Sequence, residues 1–158
     1  MTFEVKPPTN AQRVADYFVW RSQEHGDPIT NLKLQKLLYY AQGWHLALHH
    51  RPLFRDTLQA WPRGPAVYGV WKTYSDYKWK PISKRVKLPP IYTGTKAFLD
   101  SVFDVFGKHT AYTLERATHR EPPWRKAREG LGERERSNIP ISLDEMKKYF
   151  SSLAHGAR

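Results

Sequence analysis

The sequence predicts a mainly α-helical protein, a single compact domain covering residues 1–158 with about six helices around one buried central helix. Three observations predict it. Apolar residues recur at three- and four-residue spacings in several separate stretches; residues suited to N-caps precede those stretches; and Pro and Gly punctuate the intervals. Short β-strands are allowed in two places only, near 57–61 and 83–88.

The central helix is read from Ile29 to Leu48. Thr30 is placed to cap it, and Leu34, Leu37, Leu38, Ala41, His45 and Leu48 share one face. Leu32, Tyr39 and Leu46 lie roughly opposite at about 100° per residue, so apolar surface covers two sides and most of the helix should be enclosed. Lys33 and Lys36 project between the stripes beside Gly43 and Ala47, a strip open to a neighbouring backbone or a docking partner.

Around it, Thr9 with Gln12 suggests a capping box for a helix over 10–24 that Gly26 ends, and Asp27-Pro28 turns the chain into the central helix. Pro52, Pro62 and Gly64-Pro65 frame an extended run from Thr57 to Trp61, and Pro65 is suited to begin a helix over 65–77 with Val67, Val70, Trp71 and Tyr74 on its buried face. Pro81, Pro89 and Pro90 prevent a regular helix over 78–92, which is expected to be mobile, with an edge strand from Ser83 to Leu88. Helices are then expected from Thr95 to Gly107, from Thr110, from Trp124 after Pro122-Pro123, and from Ser142, where Glu145 completes a second capping box ahead of Leu143, Met146, Phe150 and Leu153.

With 40% hydrophobic residues among 158, the chain can bury a sizeable core. It contains no run of about 18 apolar residues, and its first residues lack the layout of a signal peptide, so a cytoplasmic protein without a membrane partner is expected. The absence of cysteine excludes disulfides, thiolate metal sites and cysteine nucleophiles. The net charge of +11 is unevenly spread: +1 over residues 1–50, +7 over 51–100 and +3 over 101–158. In the middle third, Lys72, Lys78, Lys80, Lys84, Arg85 and Lys87 interleave with Trp71, Tyr74, Tyr77 and Trp79, the mixture that nucleic-acid surfaces use for phosphate attraction and base stacking. A solvated loop has the same composition, and the run fits no reader motif.

No catalytic residues, cofactor or metal site are expected. His45 and His49 have zinc spacing, but Leu46 stands where a metalloprotease motif needs glutamate, and no third ligand accompanies them. The chain has no phosphate loop, nucleophile elbow or paired-carboxylate arrangement. Two stretches instead combine rigid turns with aromatic and cationic side chains, as binding hot spots do: Trp61-Pro-Arg-Gly-Pro-Ala-Val-Tyr68 and Thr118-His-Arg-Glu-Pro-Pro-Trp124. A packed structural turn accounts for either equally well.

These residues resemble a known family. The long stretch from Ile29 to Trp44, the Trp61…Gly64-Pro65…Val67 element, and Thr118-His119 with Pro123-Trp124 are similar, in order, to the signatures of the Panacea domain, also called the SocA-like antitoxin domain and related to phage-associated proteins of the GepA type. The chain departs from that pattern at Pro62 and Gly69. The resemblance implies a mostly helical antitoxin that binds and blocks a cognate protein toxin encoded nearby. In one branch it implies a proteolytic adaptor that hands the toxin to an ATP-dependent protease of the Clp type. The expected toxin-binding residues are Trp61, Arg63, Tyr68, His119, Trp124 and Arg125, flanked by Lys33 and Lys36. The alternative is a basic nucleic-acid-binding module of a mobile element or phage, acting through 72–87.

Overall fold

In the computed structural model, which describes residues 7–156, seven α-helices and a short hairpin follow in the order α1 (Ala11–Glu24), α2 (Asn31–His49), β1 (Gln59–Trp61), β2 (Gly64–Ala66), α3 (Tyr68–Thr73), α4 (Thr93–Phe106), α5 (Ala111–Arg120), α6 (Pro122–Ala127) and α7 (Leu143–Gly156). A single 3₁₀ turn, Ser75–Tyr77, follows α3.

α2 is the axis of the molecule. Thr30 caps it by accepting from the Lys33 N–H at 3.2 Å, and His50 ends it in the left-handed conformation. Leu34, Leu37, Leu38, Tyr39 and Ala41 are fully buried, so the two apolar stripes do enclose the helix; Leu48, expected on the buried face, is exposed at its end. The strip beside Gly43 is occupied by the chain itself. A Cβ on Gly43 would lie 2.1 Å from the Phe150 ring, so the missing side chain is what lets α7 seat against α2. Phe150 then meets Tyr39, Tyr40 and Trp44 edge-on at centroid distances of 5.5, 6.1 and 5.5 Å.

The caps of the outer helices follow local chemistry. Asn10 rather than Thr9 caps α1, accepting from the Arg13 N–H at 2.9 Å, consistent with the high rank of asparagine at this position. Thr110 caps α5 and Ser142 accepts from the Glu145 N–H at 3.2 Å ahead of α7. α4 starts at Thr93 and α6 at Pro122, each two residues earlier than expected; prolines at the first helical positions lose no intrahelical hydrogen bond. On α7, Met146 and Phe150 are buried as expected, but Leu143 and Leu153 remain exposed.

Two expectations are corrected. Residues 83–88 form no strand. Gln23 of α1 takes over the pairing: its amide nitrogen donates to the Ile82 and Lys84 carbonyls at 3.0 and 2.8 Å, and its oxygen accepts from the Val86 N–H at 3.0 Å. This ties the proline-rich crossover to α1, and Ile82 beneath it is fully buried. The helix expected over 65–77 is divided. Pro65 belongs to β2, because the Gln35 side chain accepts from the Val67 N–H at 2.8 Å and Lys36 donates to the Pro65 carbonyl at 3.0 Å, holding the extended backbone against α2 before α3 begins at Tyr68.

Candidate functional site

The β1–β2 hairpin reverses at Pro62-Arg63, with Gln59, Ala60 and Trp61 opposite Ala66, Pro65 and Gly64. Gly64 has φ +107°, a conformation that side chains rarely adopt. The outer edge of β1 is taken by residues 139–141: the Ala60 N–H donates to the Ile139 carbonyl and the Ile141 N–H to the Leu58 carbonyl, both at 2.8 Å. On the β2 side, Gln35 and Lys36 of α2 hold the backbone as described, and Asn31 donates to the Trp71 carbonyl at 3.0 Å, fixing α3 to the same helix. A rigid platform results, because the hairpin is gripped on both edges.

Above this platform lies a cleft of about 810 Å³. Leu32, Gln35 and Lys36 contribute from α2, while Trp61, Trp71, Trp79 and Tyr68 supply aromatic surface and Arg63 and Arg136 supply charge. Trp61 and Trp71 meet edge to face, centroids 5.6 Å apart at 77°, and the Arg63 guanidinium lies 5.1 Å over the Trp79 ring. Among the described residues, no aspartate or glutamate lines the cleft. Arg63 Nε also donates to Glu115 at 2.9 Å, a carboxylate that is largely covered. Lys36 is 1% exposed, and burial, partly countered by Glu115, pulls its ammonium down to about 7.

The second proline-framed turn supports the first from beneath. Trp124 is 7% exposed and donates its indole N–H to the Trp61 carbonyl at 2.8 Å. His119 stacks on Trp124, centroids 4.1 Å apart and planes at 12°, and burial lowers its pKa. Arg128 lies 5.2 Å over the same indole and donates to the carbonyls of Ala60, Gly132 and Glu135, joining the hairpin to the charged loop that carries Arg136.

The residues expected to act together are therefore divided among several places. Trp61, Arg63 and Tyr68 line the cleft. Lys36 lies in its floor and does not flank it at the surface, because the hairpin turn closes over it. Lys33 donates to the Gly107 carbonyl and borders a separate cleft of about 350 Å³ with Asp27, Phe103 and Lys108. His119 and Trp124 are packed supports, and Arg125 is exposed outside the cleft. Sequence reasoning missed Trp71, Trp79 and Arg136 as cleft residues. The signal for the two tryptophans was present in their alternation with lysines, but it carried no information on where the rings face.

Beside the support, Glu121 is a largely buried carboxylate that accepts from the Tyr39 and Tyr40 hydroxyls at 2.9 and 3.0 Å, with Tyr149 close by. Burial raises Glu121 to about 7, the phenol hydrogen bonds working against that rise. His45, 5% exposed, donates through Nδ1 to the Arg51 carbonyl at 2.7 Å and is a hydrogen-bonded core histidine. Among the described residues, no three metal-ligating side chains come together, and no helix is long and apolar enough to cross a membrane.

Fold and cleft define a small helical domain that presents a preformed aromatic groove rimmed by cations. The chain belongs to the antitoxin SocA-like, Panacea domain family, whose model matches residues 34–125, the span from α2 through α6 that contains both proline-framed turns. It is similar to the antitoxin SocA of Caulobacter vibrioides, with 38% identity over 66 residues, 42% of this chain and 35% of that protein. The match thus spans about a third of the curated relative's length. No solved structure matches the chain.

Proposed function

We propose that this protein is the antitoxin of a toxin–antitoxin pair, a binding protein and not an enzyme, which neutralises a protein toxin encoded beside it by direct contact through the aromatic cleft. The similarity to the SocA antitoxin, within membership of the same family, carries the reading. A rigid cleft with Trp61, Tyr68, Trp71 and Trp79 as anchors and Arg63 and Arg136 as charges supports it, since preformed aromatic and arginine surfaces bind with little ordering cost. The packing of α1 and α7, which flank the family match, on α2 supports reading residues 1–158 as one domain in this role.

Co-expression with the neighbouring reading frame tests the proposal: growth is restored and the two proteins co-purify. Neither rescue nor complex, together with turnover of a substrate by the purified protein, refutes it. Toxin lifetime in cells with and without a Clp-type protease separates occlusion from delivery to that protease. A second reading, nucleic-acid binding through 72–87, is supported by the exposure of Lys72, Lys78, Lys80, Lys84, Arg85 and Lys87. It requires affinity that falls steeply between about 50 and 200 mM salt, and no binding even at low salt removes it.

A further inference from the structure

We infer that the cleft receives an acidic, extended segment of the toxin that docks through its side chains rather than by adding a strand. This rests on the antitoxin reading above.

The hairpin has little edge to offer a new strand. Residues 139–141 occupy the outer side of β1, Lys36 and Gln35 occupy the Pro65 carbonyl and the Val67 N–H, and Pro65 has no N–H to give. Recognition therefore falls to side chains. A cleft of about 810 Å³ lies within the range of about 300–1,000 Å³ typical of sites for small ligands, room for a short stretch of chain and not for a broad protein face.

Charge decides the character of that stretch. Arg63, paired with the largely covered Glu115, and Arg136 stand at the cleft, no carboxylate among the described residues lines it, and Lys72 on α3 with Lys78 and Lys80 just after the 3₁₀ turn are exposed nearby. Lys36 in the floor is covered by the hairpin turn and gives its hydrogen bond to the Pro65 carbonyl, so the donors an incoming group can reach are those of Arg63 and Arg136. An incoming carboxylate matches this donor set. Single-stranded nucleic acid is also anionic, but its bases need flat, open ring faces in succession. Here Trp61 and Trp71 meet at 77° and one face of Trp79 carries the Arg63 guanidinium, an angled arrangement whose notches suit proline or aliphatic side chains.

Overlapping peptides spanning the neighbouring toxin, used with the full chain to compete against intact toxin, test the inference. One acidic peptide is expected to compete. Arg136→Glu is expected to weaken both peptide and toxin by about tenfold or more, while Lys148→Glu, the same charge change on α7 away from the cleft, alters affinity by less than about threefold. Equal losses from both substitutions mean general charge steering and overturn the site. If intact toxin is neutralised but no peptide competes, if the competing peptide is basic or uncharged, or if only a single-stranded oligonucleotide displaces the toxin, the extended-segment inference fails while the antitoxin reading stands. If the toxin itself is neither bound nor neutralised, the underlying reading falls with it.

Discussion

Lys36 lies directly beneath Gly64: a Cβ at position 64 would come within 2.7 Å of Lys36 Cε and 3.0 Å of its Nζ. The hairpin that shapes the cleft thus depends on one residue without a side chain and one lysine without solvent. Gly64→Ala meets both a hostile backbone angle, φ +107°, and this contact, so it should destabilise the fold by about 2–3 kcal/mol in urea unfolding. In the double variant Gly64→Ala with Lys36→Ala, the contact is relieved and the backbone strain remains, so the two losses should not add.

Lys36 should also leave a signature at alkaline pH. Its folded pKa, about 7, lies below the ordinary lysine value of 10.5, so between those values the unfolded chain binds more protons and stability rises with pH. Lys36→Met should flatten the rise. Chemical denaturation at intervals from pH 7 to 10 measures it, and an unchanged slope in the variant would mean that another group is responsible.

Glu121 acts with the opposite sign. Its folded pKa of about 7 lies above the ordinary carboxyl value of 4.5, so the folded state holds the extra proton and stability falls as pH rises through that window. The whole fall amounts to about 3.5 kcal/mol at most, at about 1.4 kcal/mol per pKa unit. His45 and His119, both lowered by burial, work against it below their usual value. The difference between the native chain and Glu121→Gln isolates the carboxylate, and that difference should grow from pH 4.5 to 7 and then level off.

Trp124 and Trp79 should separate support from contact. Trp124 is 7% exposed and joined to the Trp61 carbonyl, so Trp124→Ala should cost about 3–5 kcal/mol of stability. Trp79 is 66% exposed in the cleft wall, so Trp79→Ala should leave the unfolding midpoint nearly unchanged while costing about 2 kcal/mol or more of toxin affinity. Circular dichroism with denaturant, alongside calorimetric binding, reads both quantities; equal stability losses would contradict this division.

What the sequence determined by itself was everything set by short range. The apolar spacing of Leu34, Leu37, Leu38 and Ala41 identified the central helix, and Thr30, Thr110 and Ser142 marked helix starts, because a cap bonds only two or three residues ahead. The three family signatures, at 29–44, 61–67 and 118–124, were likewise each short enough to be read locally, and the family match over 34–125 takes in all of the last two and most of the first. Tertiary structure alone decided the rest. Gln23 replaced a strand at 83–88 from 59 to 63 positions away, Phe150 filled the space over Gly43, and the Trp124 indole became a support by reaching a carbonyl 63 residues distant. A backbone group at 65 or 82 accepts any donor that the fold delivers, and local propensity does not encode which one arrives. For the same reason, composition could nominate Trp61, Arg63 and Tyr68, but only the packing of α2 beneath the hairpin turned them toward one cleft with Trp71, Trp79 and Arg136, and closed Lys36 beneath them.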